Sequence, residues 1–377
     1  MSKKHQKHAK ITKPNYGQFA RQELAILGTP CEEIKKISQT ISEALADQYS
    51  IAYVDADHKS ADDSTLTGTS LDHGNELEYV DKINFHRFDT RSAMNPWLFR
   101  PYFNDQELVI VNGNHFEASQ QIVVIDSRKS LEKKLHKLTN VVLILLPEGE
   151  SIIPDYLRHH IENIDQIPTY LINDLSQLTQ WIDQQLKQSI APLNGLVLAG
   201  GKSERMQKDK SQINYHGKSQ KTHMLDLLSD ATQKAFFAIR EDQAEEKDSI
   251  KDTFTGLGPY GAILSAFRHD PNAAWLVTAC DQPFLTHEVI DLLIKKRNPS
   301  KVATAFYNPD TDFPEPLITI WEPKSYPYLL QFLSQGYSCP RKVLINTDIE
   351  LVHLDDPSVL RNVNTPDEYE AAIKEIK

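Results

Sequence analysis

Cysteine is scarce in this sequence, and long apolar runs are missing. Cys31, Cys280 and Cys339 stand far apart. No paired spacing marks a disulfide framework or a zinc site, and so low a count fits a reducing compartment. No apolar run approaches the roughly 18 residues that a membrane span needs. The start is basic, with Lys3, Lys4, Lys7, Lys10 and Lys13, but no apolar segment of the secretory kind follows it. The expectation is a cytoplasmic protein with no membrane partner. Excess positive charge is missing too: 41 Lys and Arg against 52 Asp and Glu leave a net charge of -11. That is the opposite of a nucleic-acid-binding face. A polyanionic substrate would need a local positive pocket and a metal ion. Internal repeats and extended low-complexity segments are also lacking.

What is there is an ordinary globular composition, 40% hydrophobic and 25% charged, over 377 residues. That length exceeds what one core usually serves, so two domains are expected. Leu24–Leu27, Ile51–Val54, Leu108–Val111, Ile122–Ile125 and Val141–Leu146 read as continuous apolar strands. Pro168–Leu171 reads as a short edge strand. Ile34, Ile37, Ile41 and Leu45 have helical spacing, and a second helix is expected near Leu175–Leu186. The polar stretch His58–Arg100 is too long for an ordinary connection and reads as an irregular excursion. Continuous strands alternating with helices imply a mostly parallel sheet covered on both faces.

The polar stretch Gln184–Ser189, followed by Ala191-Pro192, reads as a linker, giving domains 1–190 and 191–377. A second α/β pattern starts there, with strands at Gly195–Leu198, Ala235–Ile239, Ala274–Thr278, Val302–Phe306 and Leu317–Trp321. Helices are expected at Tyr260–Arg268 and from Pro366. The fold class is α/β, two doubly wound, mostly parallel-sheet domains, with ligands at the carboxyl ends of the strands.

The first of the second domain's strands runs into Leu198-Ala-Gly-Gly-Lys-Ser-Glu-Arg-Met-Gln-Lys-Asp-Lys210. Gly200 and Gly201 let the backbone approach a ligand without a Cβ in the way. Successive N–H groups there make an anion cradle. Arg205 offers a fork and Lys210 a point charge for triphosphate oxygens. Two glycines alone read as an ordinary turn; the whole pattern favours a phosphate site. Asp281 ends the strand around Trp275–Val277, where a carboxylate can hold Mg²⁺ against phosphate oxygens. A strand-end Asp that merely caps a turn is the other reading.

Leu198-Ala-Gly-Gly, Arg205-Met206 and Asp209-Lys210 resemble the molybdenum cofactor guanylyltransferases, within the sugar-nucleotidyltransferase-like superfamily. Gly258–Ile263, Cys280-Asp-Gln-Pro-Phe284 and Asn362-Val-Asn-Thr-Pro366 follow in the family's order. The resemblance spans residues 194–377 and implies a Rossmann-type fold for them. It implies transfer of GMP from GTP to the phosphate of molybdopterin or the molybdenum cofactor, with pyrophosphate leaving. Arg205, Lys210 and Asp281 would be catalytic, and Asp281 the metal ligand. Leu198, Ala199, Gly200, Gly201, Lys210, Asp252, Asp281, Asn362 and Asn364 would bind substrate. Molybdoenzymes or their chaperones are the further partners it suggests. The double glycine goes with guanine in this family. Arg341, Lys342, Asn362 and Asn364 are candidates for the pterin side.

Three positions depart from the family pattern. Gln207 stands where the family usually has Gly. Phe237-Ala-Ile-Arg240 retains the family's Arg but lacks the polar residue that the family often places nearby for nucleotide contact. Glu315 lies between Pro314 and Pro316, where relatives often carry a basic residue or His. These leave open a cytidylyl- or sugar-phosphate nucleotidyltransferase, or a regulatory nucleotide-binding module without turnover.

Residues 1–190 resemble, more weakly, the molybdopterin-guanine dinucleotide adaptors, which are P-loop GTPases. The phosphate loop itself is degenerate. Gly28-Thr-Pro-Cys-Glu-Glu-Ile-Lys-Lys36 lacks the second glycine and the Ser/Thr, and Glu32 and Glu33 would repel phosphate. A domain without nucleotide, holding substrate or serving structure, is expected. Asp55, Asp57 and His58 end a strand and read as turn caps before metal ligands.

Overall fold

The computed structural model describes residues 17–56, 69–149, 152–199 and 210–376. The chain forms two compact units, residues 1–189 and 190–377.

The first unit runs β1 (Glu23–Leu27), α1 (Cys31–Leu45), β2 (Ile51–Val54), β3 (Leu77–Asp81), β4 (His86–Thr90) and α2 (Pro96–Tyr102). It continues with β5 (Leu108–Asn112), β6 (Gln120–Val124), β7 (Val141–Leu146), α3 (Asp155–His160), β8 (Thr169–Leu171) and α4 (Leu175–Gln188). Its main sheet has six strands in the order β2-β5-β1-β6-β7-β8, and every pairing in it is parallel. The apolar runs of β1 and β5 are buried throughout, as strands covered on both faces require. On one face Ile34, Ile37 and Ile41 of α1 pack with Leu178, Ile182 and Leu186 of α4 over Ile26 and Ile110. The opposite face buries Leu27, Val123 and Ile144 against Leu131 and Leu157.

The stretch read as irregular from His58 is more ordered than expected. β3 and β4 pair antiparallel, with Tyr79 opposite Phe88, and α2 follows. The hairpin has the alternation of a strand, but charges on both faces dilute it: Glu78, Asp81, Arg87 and Asp89 sit among Leu77, Tyr79 and Phe88. α2 carries a clear start signal. The Asn95 side chain accepts from Trp97 N–H and Leu98 N–H, with Pro96 as the next residue.

The second unit runs β9 (Leu193–Leu198), α5 (Gln220–Ala231), β10 (Lys234–Ile239), β11 (Ser249–Lys251), α6 (Pro259–His269), β12 (Ala274–Ala279) and α7 (His287–Lys295). Next come β13 (Ala303–Asn308), β14 (Phe313–Trp321), α8 (Ser325–Ser334), α9 (Pro340–Ile345), β15 (Ile349–Val352) and α10 (Pro366–Ile376). Seven strands form one sheet in the order β11-β10-β9-β12-β14-β13-β15. Only β14 runs antiparallel to its neighbours. β12 is buried along its whole length, with Leu276 facing one cluster and Trp275 and Val277 the other.

This topology collects one edge. The carboxyl ends of β9, β10, β11, β12, β13 and β15 and the start of β14 all lie there. At the opposite edge the Arg297 guanidinium grips Glu322, with Nε to Oε1 at 2.6 Å and Nη2 to Oε2 at 2.9 Å. Nη2 also donates to the Ala191 carbonyl at 2.9 Å, which fixes the entry into β9. Both side chains are largely buried. Removing one partner of such a pair strands a charge, so Arg297→Met should cost this unit about 3–5 kcal/mol. Urea unfolding with the wild type alongside checks it; a loss under about 1 kcal/mol would mean that water reaches Glu322.

Candidate functional site

The polar groups of the second unit gather at that carboxyl edge because the strands leading to it are buried and apolar. Leu198 and Ala199 close β9 there. Gly200, Gly201 and Arg205 lie outside the described residues, as do Gln207 and Asp209. The chain returns at Lys210, which opens a short helical turn, Lys210–Gln212.

Asp281 sits two residues beyond β12, in a turn closed by its neighbour: Gln282 Oε1 accepts from Ala279 N–H at 3.1 Å. The Asp281 carbonyl accepts from Val363 N–H at 2.8 Å. One backbone bond thus sets Asn362 and Asn364 on either side of the residue that touches Asp281. Two further features hold that segment. Val363 is buried in a small cluster with Ile213, Tyr215 and Ala372. Glu368 Oε2 accepts from Asn364 N–H and Thr365 N–H, while Thr365 Oγ1 accepts from Glu368 N–H. That is a capping box, the Thr-x-x-Glu pattern that starts α10. The motif Asn362–Pro366 is therefore a helix entry pinned to the Asp281 turn.

Asp252 lies just past β11 at the same edge. Its Oδ1 accepts from Phe254 N–H at 2.9 Å and from Ser265 Oγ at 2.7 Å. Gly261 permits this packing: a Cβ there would stand 3.1 Å from Asp252 Oδ2 and 2.2 Å from the Phe254 carbonyl oxygen. Asp252 thus orders the loop that leads into α6. Arg240 follows β10 directly and pairs with Asp242 at 2.9 Å.

Glu315, at the start of β14, is 3% exposed. β14 runs antiparallel to β12 and starts at the edge where β12 ends, which brings Glu315 within reach of the Asp281 charge. Asn308 Nδ2 donates to its Oε2 at 3.2 Å, and Arg341 Nη2 stands 3.8 Å from the same oxygen. Arg341 Nε also donates to the Pro314 carbonyl at 3.3 Å. Burial pushes the Glu315 carboxyl above its ordinary value; Asn308, the Leu317 N–H and Arg341 oppose the shift, and the Asp281 charge adds to it. The departure noted in the sequence is thus a buried carboxylate beside the candidate metal ligand. Lys342 lies over the Tyr337 ring, 5.1 Å from its centroid.

Two histidines escaped the sequence reading. His216 Nε2 donates to the Pro283 carbonyl at 2.9 Å, bracing the Asp281 turn from the other side. Its ring stacks on His223, with centroids 3.9 Å apart. The signal was the turn at Gly217, with φ +79°, followed by Ser219, whose side chain caps α5.

Residues 195–350 match the model of the MobA-like NTP transferase domain, so the second unit carries a domain of that class. A curated relative, the molybdenum cofactor biosynthesis bifunctional protein of Synechocystis, is 34% identical over 186 residues, covering 48% of this chain and 54% of the relative. The chain thus spans about half the length of that relative. A probable molybdenum cofactor guanylyltransferase of Flavobacterium johnsoniae is 26% identical over 180 residues, covering 47% of this chain and 94% of its own. Among solved structures, molybdopterin-guanine dinucleotide biosynthesis protein A of Archaeoglobus fulgidus aligns at 24% identity with a TM-score of 0.42, covering 48% of this chain and 97% of that one.

His223 generates a pH prediction. Burial, then the neighbouring His216 and Lys218, pull its imidazole down from 6.5 to about 4. The unfolded chain therefore takes up the proton first as pH falls. This unit should lose stability from about pH 6.5 to about pH 4 and level off below. His223→Phe keeps a stacking ring without the titration, and should flatten that loss in urea midpoints measured across the window. An unchanged slope would move the titration elsewhere.

Proposed function

We propose that the second unit transfers GMP from GTP to the terminal phosphate of molybdopterin, free or loaded with molybdenum, and releases pyrophosphate. The observation that carries this reading is the joint placement of Asp281, Asn362 and Asn364 at the carboxyl edge of a MobA-like NTP transferase domain. The relatives named above support it by what they are called.

The chemistry needs no protein nucleophile. A phosphate oxygen of the acceptor attacks the α-phosphorus of GTP in line with the departing pyrophosphate. The work of the chain is positioning and charge compensation. In this reading Gly200 and Gly201 would offer backbone N–H groups to the triphosphate, and Arg205 and Lys210 would add positive charge. The double glycine after Leu198-Ala199 supports guanine as the base.

The donor set fits magnesium, which favours oxygen ligands and commonly takes one or two carboxylates together with substrate phosphates. Asp281 would be its anchor, with the amide oxygens of Asn362 and Asn364 close in the chain to the bond at Val363. Magnesium bound there would neutralise charge shared between triphosphate and acceptor. Asp252 contributes through the loop before α6. Glu315 and Arg341 border the acceptor side.

In the first unit the place of a phosphate loop is filled by groups that repel phosphate. Pro30 has no N–H to offer, and Glu32 and Glu33 occupy the first turn of α1. Thr29 Oγ1 is committed to Asp126 at 2.6 Å. Asp55 is tied to Asn112 and to Tyr53, each at 2.7 Å, which supports a structural cap; Asp57 and His58 lie outside the described residues. We infer a domain without nucleotide that keeps substrate near its enzyme by tethering.

Asp281→Ala should lower pyrophosphate release from GTP and molybdopterin by at least about a hundredfold at saturating magnesium. Its stability should change by about 1 kcal/mol or less. Wild-type turnover by this variant would remove Asp281 from the site. CTP or UTP consumed in preference to GTP would favour the cytidylyl or sugar-phosphate alternative. Calorimetric titration should give one GTP per full-length chain, and a second site would overturn the reading of the first unit.

A further inference from the structure

The first unit has its own cluster of reactive side chains, which the proposed transfer leaves unused. β1 lies between β5 and β6 in the sheet, so the loops after these three strands converge over one spot. Doubly wound sheets place ligands in that crevice. The loop after β1 leads straight to Cys31, the first residue of the 15-residue helix α1. Gly28 makes the turn at φ +95°, so close to β6 that a Cβ would lie 2.3 Å from the Val124 carbonyl oxygen. Gly113 lets the loop after β5 rest on the end of β1; a Cβ there would stand 2.9 Å from Leu27 Cβ.

These approaches bring three side chains around one thiol. His115 Nε2 lies 3.3 Å from Cys31 Sγ. Asn114 Nδ2 stands at 3.6 Å and Lys129 Nζ, from the loop after β6, at 4.0 Å. Asn114 is anchored in turn: it donates to the Thr29 carbonyl at 3.0 Å and accepts from Lys137 Nζ at 2.8 Å. The carboxylates nearby have partners of their own. Asp126 is held by Arg128, which keeps it down at about 2. Glu33 pairs with Lys36 at 3.3 Å and faces Arg128 at 3.9 Å. Asp55 is engaged by Tyr53 and Asn112. Cys31 is only partly buried, so a small molecule can reach it.

We propose that Cys31 and His115 form a nucleophilic thiol–imidazole pair that exchanges with small disulfides. The imidazole Nε2 takes the thiol proton. Sγ then attacks one sulfur of the disulfide, a new S–S bond forms, and the old one breaks. The departing thiolate takes the proton back from the imidazolium and leaves as a thiol. The products are a mixed disulfide on Cys31 and one equivalent of small thiol, with no other oxidant consumed. Lys129 Nζ and the amino end of α1 place positive charge beside the sulfur along this path.

The chain contains its own references, since Cys339 is exposed and Cys280 buried. Full-length protein is treated with limiting iodoacetamide at neutral pH, and alkylation of each cysteine is followed by peptide mass spectrometry. Cys31 should react at least about tenfold faster than Cys339, and His115→Gln should erase that advantage. Oxidised glutathione should add one glutathione to Cys31, removable by a reducing agent. Alkylation of Cys31 no faster than Cys339 would overturn the proposal, and so would a folded His115→Gln variant as reactive as the wild type. The wild-type ratio needs no variant and decides even where His115→Gln fails to fold.

Discussion

Everything at the candidate site depends on a strand that is buried along its whole length. β12 runs through the middle of the second sheet with every residue buried, Thr278 included, so polar side chains that a ligand can reach appear only where it ends. The parallel neighbours β9 and β10 obey the same constraint and finish at the same edge. Charged and amide groups separated by long stretches of sequence are therefore delivered to one line. Burial on both faces is costly in sequence choice, because few residues other than Val, Leu, Ile, Ala and Trp suit it. In return it fixes where the chemistry must be.

The second constraint is local and electrostatic. Asp281 is held by its backbone, from Val363 on one side and through Pro283 and His216 on the other. Its carboxylate lies near Glu315, whose pKa is raised by burial, with the Asp281 charge adding to the shift. Two acids at one strand edge repel each other, and a bound cation relieves that repulsion. Arg341, braced by Pro314 and facing Glu315, keeps one positive group at this border.

Much of this architecture was legible in the sequence, for physical reasons that differ by element. The buried strands announced themselves as unbroken apolar runs, and α1 and α4 by their helical spacing of Ile and Leu. The motif Asn362–Pro366 was visible as a string, but its meaning came from one distant contact, Val363 to Asp281, and one local one, Glu368 to Thr365. The β3–β4 hairpin stayed hidden because its alternation is carried as much by Glu, Arg and Asp as by apolar residues. Glu315 was visible as an oddity, whereas its burial near Asp281 depends on the antiparallel pairing of β14 with β12, which no local pattern encodes. The Cys31–His115 contact likewise joins positions 84 residues apart.

The first unit keeps the doubly wound sheet yet fills the place of a phosphate loop with Pro30, Cys31, Glu32 and Glu33. Its crevice holds a thiol beside an imidazole, while the second unit gathers Asp281, Asn362 and Asn364 at its carboxyl edge. The central claim, that this edge joins GMP to a pterin phosphate, is tested most directly by mass spectrometry of the product formed from GTP, magnesium and molybdopterin. The account predicts a pterin species heavier by one GMP residue, formed with one equivalent of pyrophosphate. Intact molybdopterin beside unconsumed GTP, under conditions where the chain is folded and binds GTP, would contradict it.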